Sequence, residues 1–173
     1  VKKRIRWLTN LGIIALNPAL LYLTAPLLPA GMAALAEKNG WGLLNCISMP
    51  VPLKIIAAVA VLDMIIYFQH RLFHALPALW RFHEMHHVDL DFDLTTGLRF
   101  HPVEMLISLV IKLTAVALLG PPVSAVIVFE VVLNGAAMFN HSNMRLPIGF
   151  DRILRLFLVT PDMHRVHHSV VYS

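Results

Sequence analysis

The chain has 173 residues, 58% of them apolar and 14% charged, with a mean hydropathy of +0.71; it is too apolar for an ordinary soluble domain and points to lipid as its solvent. Its net charge of +4 is spread between apolar runs rather than gathered on a polar domain, which excludes a nucleic-acid-binding module. One cysteine, Cys46, cannot close an internal disulfide, so a disulfide-stapled extracellular scaffold is excluded as well.

The N-terminus, Val1-Lys2-Lys3-Arg4-Ile5-Arg6, leads into a long apolar run without a small-residue cleavage site, and reads as a retained anchor rather than a signal peptide. Residue 1 is Val rather than Met, and the last residues, His168 to Ser173, show no stop signal, so the chain is expected to be a fragment truncated at both ends. Four stretches have about the length needed to cross a hydrocarbon core: Leu11 to Ala30, Val51 to Gln69, Met105 to Leu119 and Pro122 to Asn140. Pro18 and Pro26 are expected to bend the first. The third carries Lys112, which snorkels or tilts the helix if that stretch crosses; the alternative is a shallow re-entrant hairpin with the fourth around Gly120-Pro121-Pro122.

With four crossings and an inside start, Lys2, Lys3, Arg4, Arg6, Arg71, Arg81, Arg99, Arg145, Arg152, Arg155 and Arg165 fall inside. Lys38 and Lys54 fall outside, and this bias of eleven to two puts both ends in the cytoplasm. The expected fold is all-α: an integral-membrane helical bundle of about four transmembrane helices with a cytosolic, helical, histidine-rich cap, one domain over 1–173.

All ten histidines lie between residues 70 and 168, in segments that the charge bias assigns to the cytoplasmic side. Three compact groups hold eight of them. His70 and His74, at i and i+4 near the end of the second apolar helix, share one helix face and can present two imidazoles to one ion. Pro77 ends that helix and suits the start of the next, which carries His83, His86 and His87; the first pairs with the other two at i+3 and i+4, while those two diverge by about 100°. His164, His167 and His168 repeat this spacing after the second apolar hairpin. One such cluster is an unremarkable surface or core feature. Three, beside a bilayer where imidazoles are costly, point to a metal centre. Neutral imidazole suits iron, zinc, copper or nickel, so the ligands alone leave the metal open.

His101 and His141 stand alone at the inner ends of the third and fourth stretches, in the same layer as the clusters, and are candidate ligands, with support of a ligand as the alternative. Asp63 and Tyr67 precede His70 by seven and four residues on roughly one helix face, and are candidates for orienting a ligand imidazole through its second nitrogen. Asp162 is a further candidate for that duty, and Glu84, Glu104 and Glu130 are weaker ones. The run Asp89-Leu90-Asp91-Phe92-Asp93 reads as a solvated loop.

Over roughly Leu62 to Ser169 the chain resembles the fatty acid hydroxylase and sterol desaturase superfamily, looking closest to its bacterial members. The resemblance rests on His70-Arg71-Leu72-Phe73-His74, the stretch Trp80 to His87, Thr95 to Pro102, Asn140-His141-Ser142-Asn143 and Thr160 to Ser169. It implies two Fe ions, with zinc a possible substitute, held at the cytosolic face of a membrane such as the bacterial inner membrane. It also implies dioxygen (O2) as oxidant, a ferredoxin or cytochrome b5-type electron donor, and hydroxylation or desaturation of a lipid. Members usually continue past the third histidine group, and this chain stops at Ser173. Two rival readings are a zinc-dependent membrane hydrolase with Glu84 as base and a haem-carrying electron-transfer protein, although haem prefers single axial histidines.

Overall fold

The computed structural model describes residues 3–24, 28–89 and 92–169; Pro26, Asp91 and the last four residues, which enter the expectations above, lie outside them. Among the described residues eight α-helices follow one another: α1 (Lys3–Thr24), α2 (Pro29–Asn39), α3 (Val51–Ala75), α4 (Pro77–His87), α5 (Pro102–Leu119), α6 (Val123–Asn140), α7 (Ile148–Leu154) and α8 (Pro161–His167). Among the described residues there is no strand, in keeping with the all-α expectation.

Three helices, α3, α5 and α6, are long and apolar enough to cross a membrane. The expected first crossing is not one helix: α1 ends at Thr24 after running on through Pro18, and α2 begins at Pro29. Together they still follow the whole of α5. The Asn17 amide meets the carbonyl of Phe100, two residues ahead of α5, at 2.9 Å. At the other end, α2 leads into Gly42 and Gly120, whose backbones touch: a Cβ on Gly42 would lie 2.2 Å from the Gly120 nitrogen, and both residues have positive φ (90° and 63°), which favours glycine. Arg6, Asn10 and Asn17 are buried on α1 and bind the chain between α4 and α5.

The second crossing is longer than the apolar run that announces it. α3 continues past Gln69 through both His70 and His74, and stops at Leu76 because Pro77 takes the first position of α4. Helices α2 and α3 each pack against both α5 and α6. Their core is Ala33, Leu62, Ala115, Val116, Val126 and Phe129, with small residues letting the backbones approach. Lys112 meets Glu130 at 2.7 Å, so the charge expected to snorkel is paired with a neighbouring helix instead. The histidine-bearing ends of α3, α5 and α6 meet at one end of this bundle, where α4 and α8 pack.

Candidate metal centre

His70 and His74 arrive on the last turns of α3, His83, His86 and His87 on α4, His141 directly after α6, and His164, His167 and His168 on and just after α8. These nine converge. Their ring nitrogens form four overlapping sets within 4.8 Å of one another: His86, His141, His164 and His168; His70, His74 and His167; His74, His83 and His87; and His87, His167 and His168.

The contacts have the dimensions of a metal site. The Nε2 atoms of His141 and His86 are 3.2 Å apart, those of His164 and His141 3.0 Å, and those of His70 and His167 3.0 Å. Two cis nitrogens bound about 2.1 Å from one ion are separated by roughly 3.0 Å. A hydrogen bond between neutral imidazoles has a similar length, so the remaining nitrogens decide. Nε2 of His74, His83 and His87, Nδ1 of His86 and both ring nitrogens of His168 are buried with no hydrogen-bond partner. Buried donors and acceptors are seldom left so, because each costs about 1–3 kcal/mol. An ion would satisfy one such nitrogen on each ring that faces it, and the residues present therefore fit a metal.

Two of the imidazoles have their tautomer set by a partner. The Nδ1 of His83 meets Glu104 Oε1 at 2.8 Å, with both residues buried, and that of His141 donates to the Ala137 carbonyl at 2.7 Å. Each proton is thereby held on Nδ1 and the Nε2 lone pair faces the cluster, as metal-bound histidines require. Electrostatics agree. Burial holds His86 far below the usual histidine range, reinforced by His168 and His141 beside it. Burial likewise brings His168 down to about 3 and His141 to about 4, the latter against the Ala137 carbonyl, which acts the other way. His87, His164 and His167 are lowered for the same first reason. Near neutral pH these imidazoles are uncharged, the form in which histidine binds a metal.

Aromatic rings wall the cluster. Phe100 stacks on His86 at 4.5 Å and 12°, and Phe92 on His141 at 5.1 Å and 23°. Trp80 lies 5.2 Å from His74 and 5.3 Å from His87.

Not every expected residue takes part. His101 belongs to none of the four sets; it caps α5, with Nδ1 accepting from the Val103 amide at 3.1 Å, and its ring lies on Phe82. Asp63 and Tyr67 are exposed on α3, and among the described residues neither hydrogen-bonds a histidine. Sharing a face is not enough, because seven residues of helix separate Asp63 from His70 by about 10.5 Å along the axis. Asp162 pairs with Arg165, which also donates to the carbonyls of Ser142 (3.3 Å) and Met144 (3.0 Å). It thus fastens α8 to the turn after His141 rather than orienting an imidazole. The imidazole partner is Glu104, one of the weaker candidates, whose signal was an acidic residue in the first turn of an apolar helix. Asp89 is no solvated loop residue: it is buried and receives Arg6 at 2.9 Å, Asn10 at 3.0 Å and Thr96 at 2.9 Å.

Residues 55–173 match the family model described as "Fatty acid hydroxylase". The chain belongs to the fatty acid hydroxylase family. The match takes in all nine clustered histidines and Glu104, and leaves out α1 and α2. Curated relatives include the ornithine lipid hydroxylase OlsE of Rhizobium tropici, 31% identical over 125 residues, which are 72% of this chain and 37% of that protein. The alkylglycerol monooxygenase of Danio rerio is 36% identical over 108 residues, 62% of this chain and 23% of its own length. The human alkylglycerol monooxygenase is 30% identical over 104 residues, 60% and 22%. The chain therefore spans well under half the length of these relatives. No solved structure matches it significantly.

Proposed function

We propose that the chain carries the metal centre of a membrane lipid hydroxylase that uses two irons and O2. The convergence of nine histidines from four places in the chain into four overlapping sets carries this reading. One iron belongs with His86, His141, His164 and His168, the other with His70, His74, His83 and His167, and His87 lies between them. When bound, the irons supply the redox chemistry by which O2 oxidises a carbon–hydrogen bond, R–H + O2 + 2e⁻ + 2H⁺ giving R–OH + H2O.

The protein's part is to hold neutral imidazoles in place, with Glu104 and the Ala137 carbonyl fixing protons on the nitrogens that face away from the metals. Phe92, Phe100 and Trp80 keep water from the ligand rings, which an oxidation of this kind needs. The names of the relatives favour hydroxylation over desaturation and a lipid of ornithine-lipid or alkylglycerol type as the substrate class. The electrons come from a ferredoxin or cytochrome b5-type donor. The arginine and lysine bias puts the centre on the cytoplasmic side of what is, in a bacterium, the inner membrane. A zinc hydrolase fits less well, since Glu84, its candidate base, is exposed and outside the four sets.

The test is metal analysis and oxygen uptake of the aerobically purified full-length protein, with mass spectrometry of cellular lipids with and without its gene. Iron near two per chain and lipids gaining one oxygen atom are expected. Bound zinc with hydrolytic activity and no oxygen uptake would overturn the proposal.

A further inference from the structure

Through three polar side chains, helix α1, outside the family match, binds the chain that walls the histidine cluster. Arg6, Asn10 and Asn17 are 7%, 0% and 3% exposed. They stand four and seven residues apart on one stripe of α1, and in a helix this apolar such residues are retained for their partners. The partners seen among the described residues lie between the second histidine group and α5. Arg6 pairs with Asp89 and with Asp93; Asn10 donates to Asp89 and, at 2.8 Å, to Thr95; Asn17 donates to the carbonyl of Phe100. Arg99 reaches back to the Asn10 side-chain oxygen at 3.3 Å.

What these contacts hold in place bears on one ligand group. Thr96, fully buried and donating to Asp89, precedes Gly97, whose backbone lies flat on His141: a Cβ there would come 2.8 Å from Nδ1 and 2.9 Å from Cγ of that ring. Phe100, pinned through its own carbonyl, stacks on His86. Phe92 covers His141, His164 and His168 at 5.1, 6.0 and 5.0 Å. His86, His141, His164 and His168 are the four-histidine group. Of the other group, His70, His74 and His167 are held by α3 and α8 and stack on none of the residues that α1 binds, while His83, held by Glu104, meets Phe100 only at 6.4 Å against 4.5 Å for His86.

We propose that Arg6, Asn10 and Asn17 are positioning residues for the four-histidine metal position alone, so that α1 controls the occupancy of one metal and not of the other. This rests on the reading that the nine histidines hold two metals. The path is physical and short: α1 to Asp89 and Thr96, Gly97 to His141, and α1 to Phe100 and His86.

The experiment is Co(II) titration of the metal-stripped full-length protein in detergent micelles, read by bound metal per chain and by the visible absorption of the bound cobalt, with circular dichroism to follow helix content. Wild type is expected to take two ions. The double variant Arg6→Ala/Asn10→Ala should keep its helix content and weaken one position by up to roughly 10–100-fold, the cost of removing a partner that touches a ligand directly being the ceiling for supports that act through intervening residues. The other position should be unchanged, and its cobalt spectrum should match that of His164→Ala. Gly97→Ala, which presses on His141 without touching α1, should give the same selective loss, and Arg6→Lys should restore part of it. Leu11→Ala, on the exposed side of α1, should bind as wild type does. Two ions bound with wild-type affinity in the double variant, or both lost together, would overturn the inference. If the double variant does not fold, Asn17→Ala decides by the same readings. Failure of the two-metal reading itself would show already in the wild type, as binding of fewer than two ions.

Discussion

The group made by His86, His141, His164 and His168 and the group built around His70, His74 and His167 use one kind of ligand, yet they are supported by different parts of the chain. The second group sits on regular structure. Two of its ligands share a face of an uninterrupted 25-residue helix, Trp80 of α4 closes one side, and Glu104 of α5 orients the neighbouring His83. The first draws its four histidines from three places, one from α4, one from the end of α6 and two from α8 with the residue after it, and is walled by Phe92 and Phe100, in irregular chain, and by Gly97, in a single 3-10 turn. Irregular chain has no ladder of its own to hold it, so its position depends on the buried polar contacts made to α1. One group is built on the scaffold and the other is assembled by tethering.

The strongest way to break this contrast is to remove a ligand from each group. His86→Ala and His167→Ala should each abolish oxidation while leaving membrane insertion intact, and metal analysis should show a different ion missing in the two. Retained turnover in either would count against the assignment. Next in size is Glu104→Ala, which leaves the buried Nδ1 of His83 without an acceptor. It should weaken metal binding at the second group by roughly 10–100-fold, measured by chelator competition, with the first group unaffected.

A smaller effect concerns acid. Burial works against ionisation of Asp89, but hydrogen bonds from Asn10, Thr96 and Arg6 outweigh it and hold the carboxyl below its ordinary range. Because the unfolded chain takes up the proton first, the stabilisation is fully present above about pH 4 and is lost as the pH falls further. The difference in thermal unfolding between wild type and Asp89→Asn, about 1 kcal/mol near neutral pH, should therefore shrink on acidification. Smallest is the loss of the Lys112–Glu130 pair, far from both groups: Lys112→Met/Glu130→Leu should cost less than about 1 kcal/mol and leave both metals bound.

Much of this was legible in the sequence. The three histidine clusters sit at helical spacings, Pro77 marks the turn between the first two, and the apolar runs announce α3, α5 and α6. The grouping of the ligands was not legible, because it is set by which helix ends meet. His101 and His141 illustrate the limit. Both are single histidines at the end of an apolar helix, but they stand at opposite ends of the helical hydrogen-bond ladder. His141 follows a C-terminus, where spare carbonyls take its N–H and leave Nε2 free to bind. His101 precedes an N-terminus, where spare N–H groups consume its lone pair. The rule is simple once helix ends are known, and the ends are what the sequence blurs. The tether from α1 was missed for another reason: Arg6 counts in the sequence only as one of the inside charges, Asn10 and Asn17 carry no pattern of their own, and their partners lie more than seventy residues away.

The unbroken passage of α3 from Val51 to Ala75 also makes that helix a ruler. Nineteen steps from Val51 to His70 measure about 28 Å, close to the roughly 30 Å of a hydrocarbon core. If α3 crosses over this length, His70 and His74 stand at a fixed depth, where acyl chains give way to headgroups. A thicker or thinner bilayer would move that level relative to the lipid, so membrane thickness itself becomes a variable in which carbon of a substrate comes within reach.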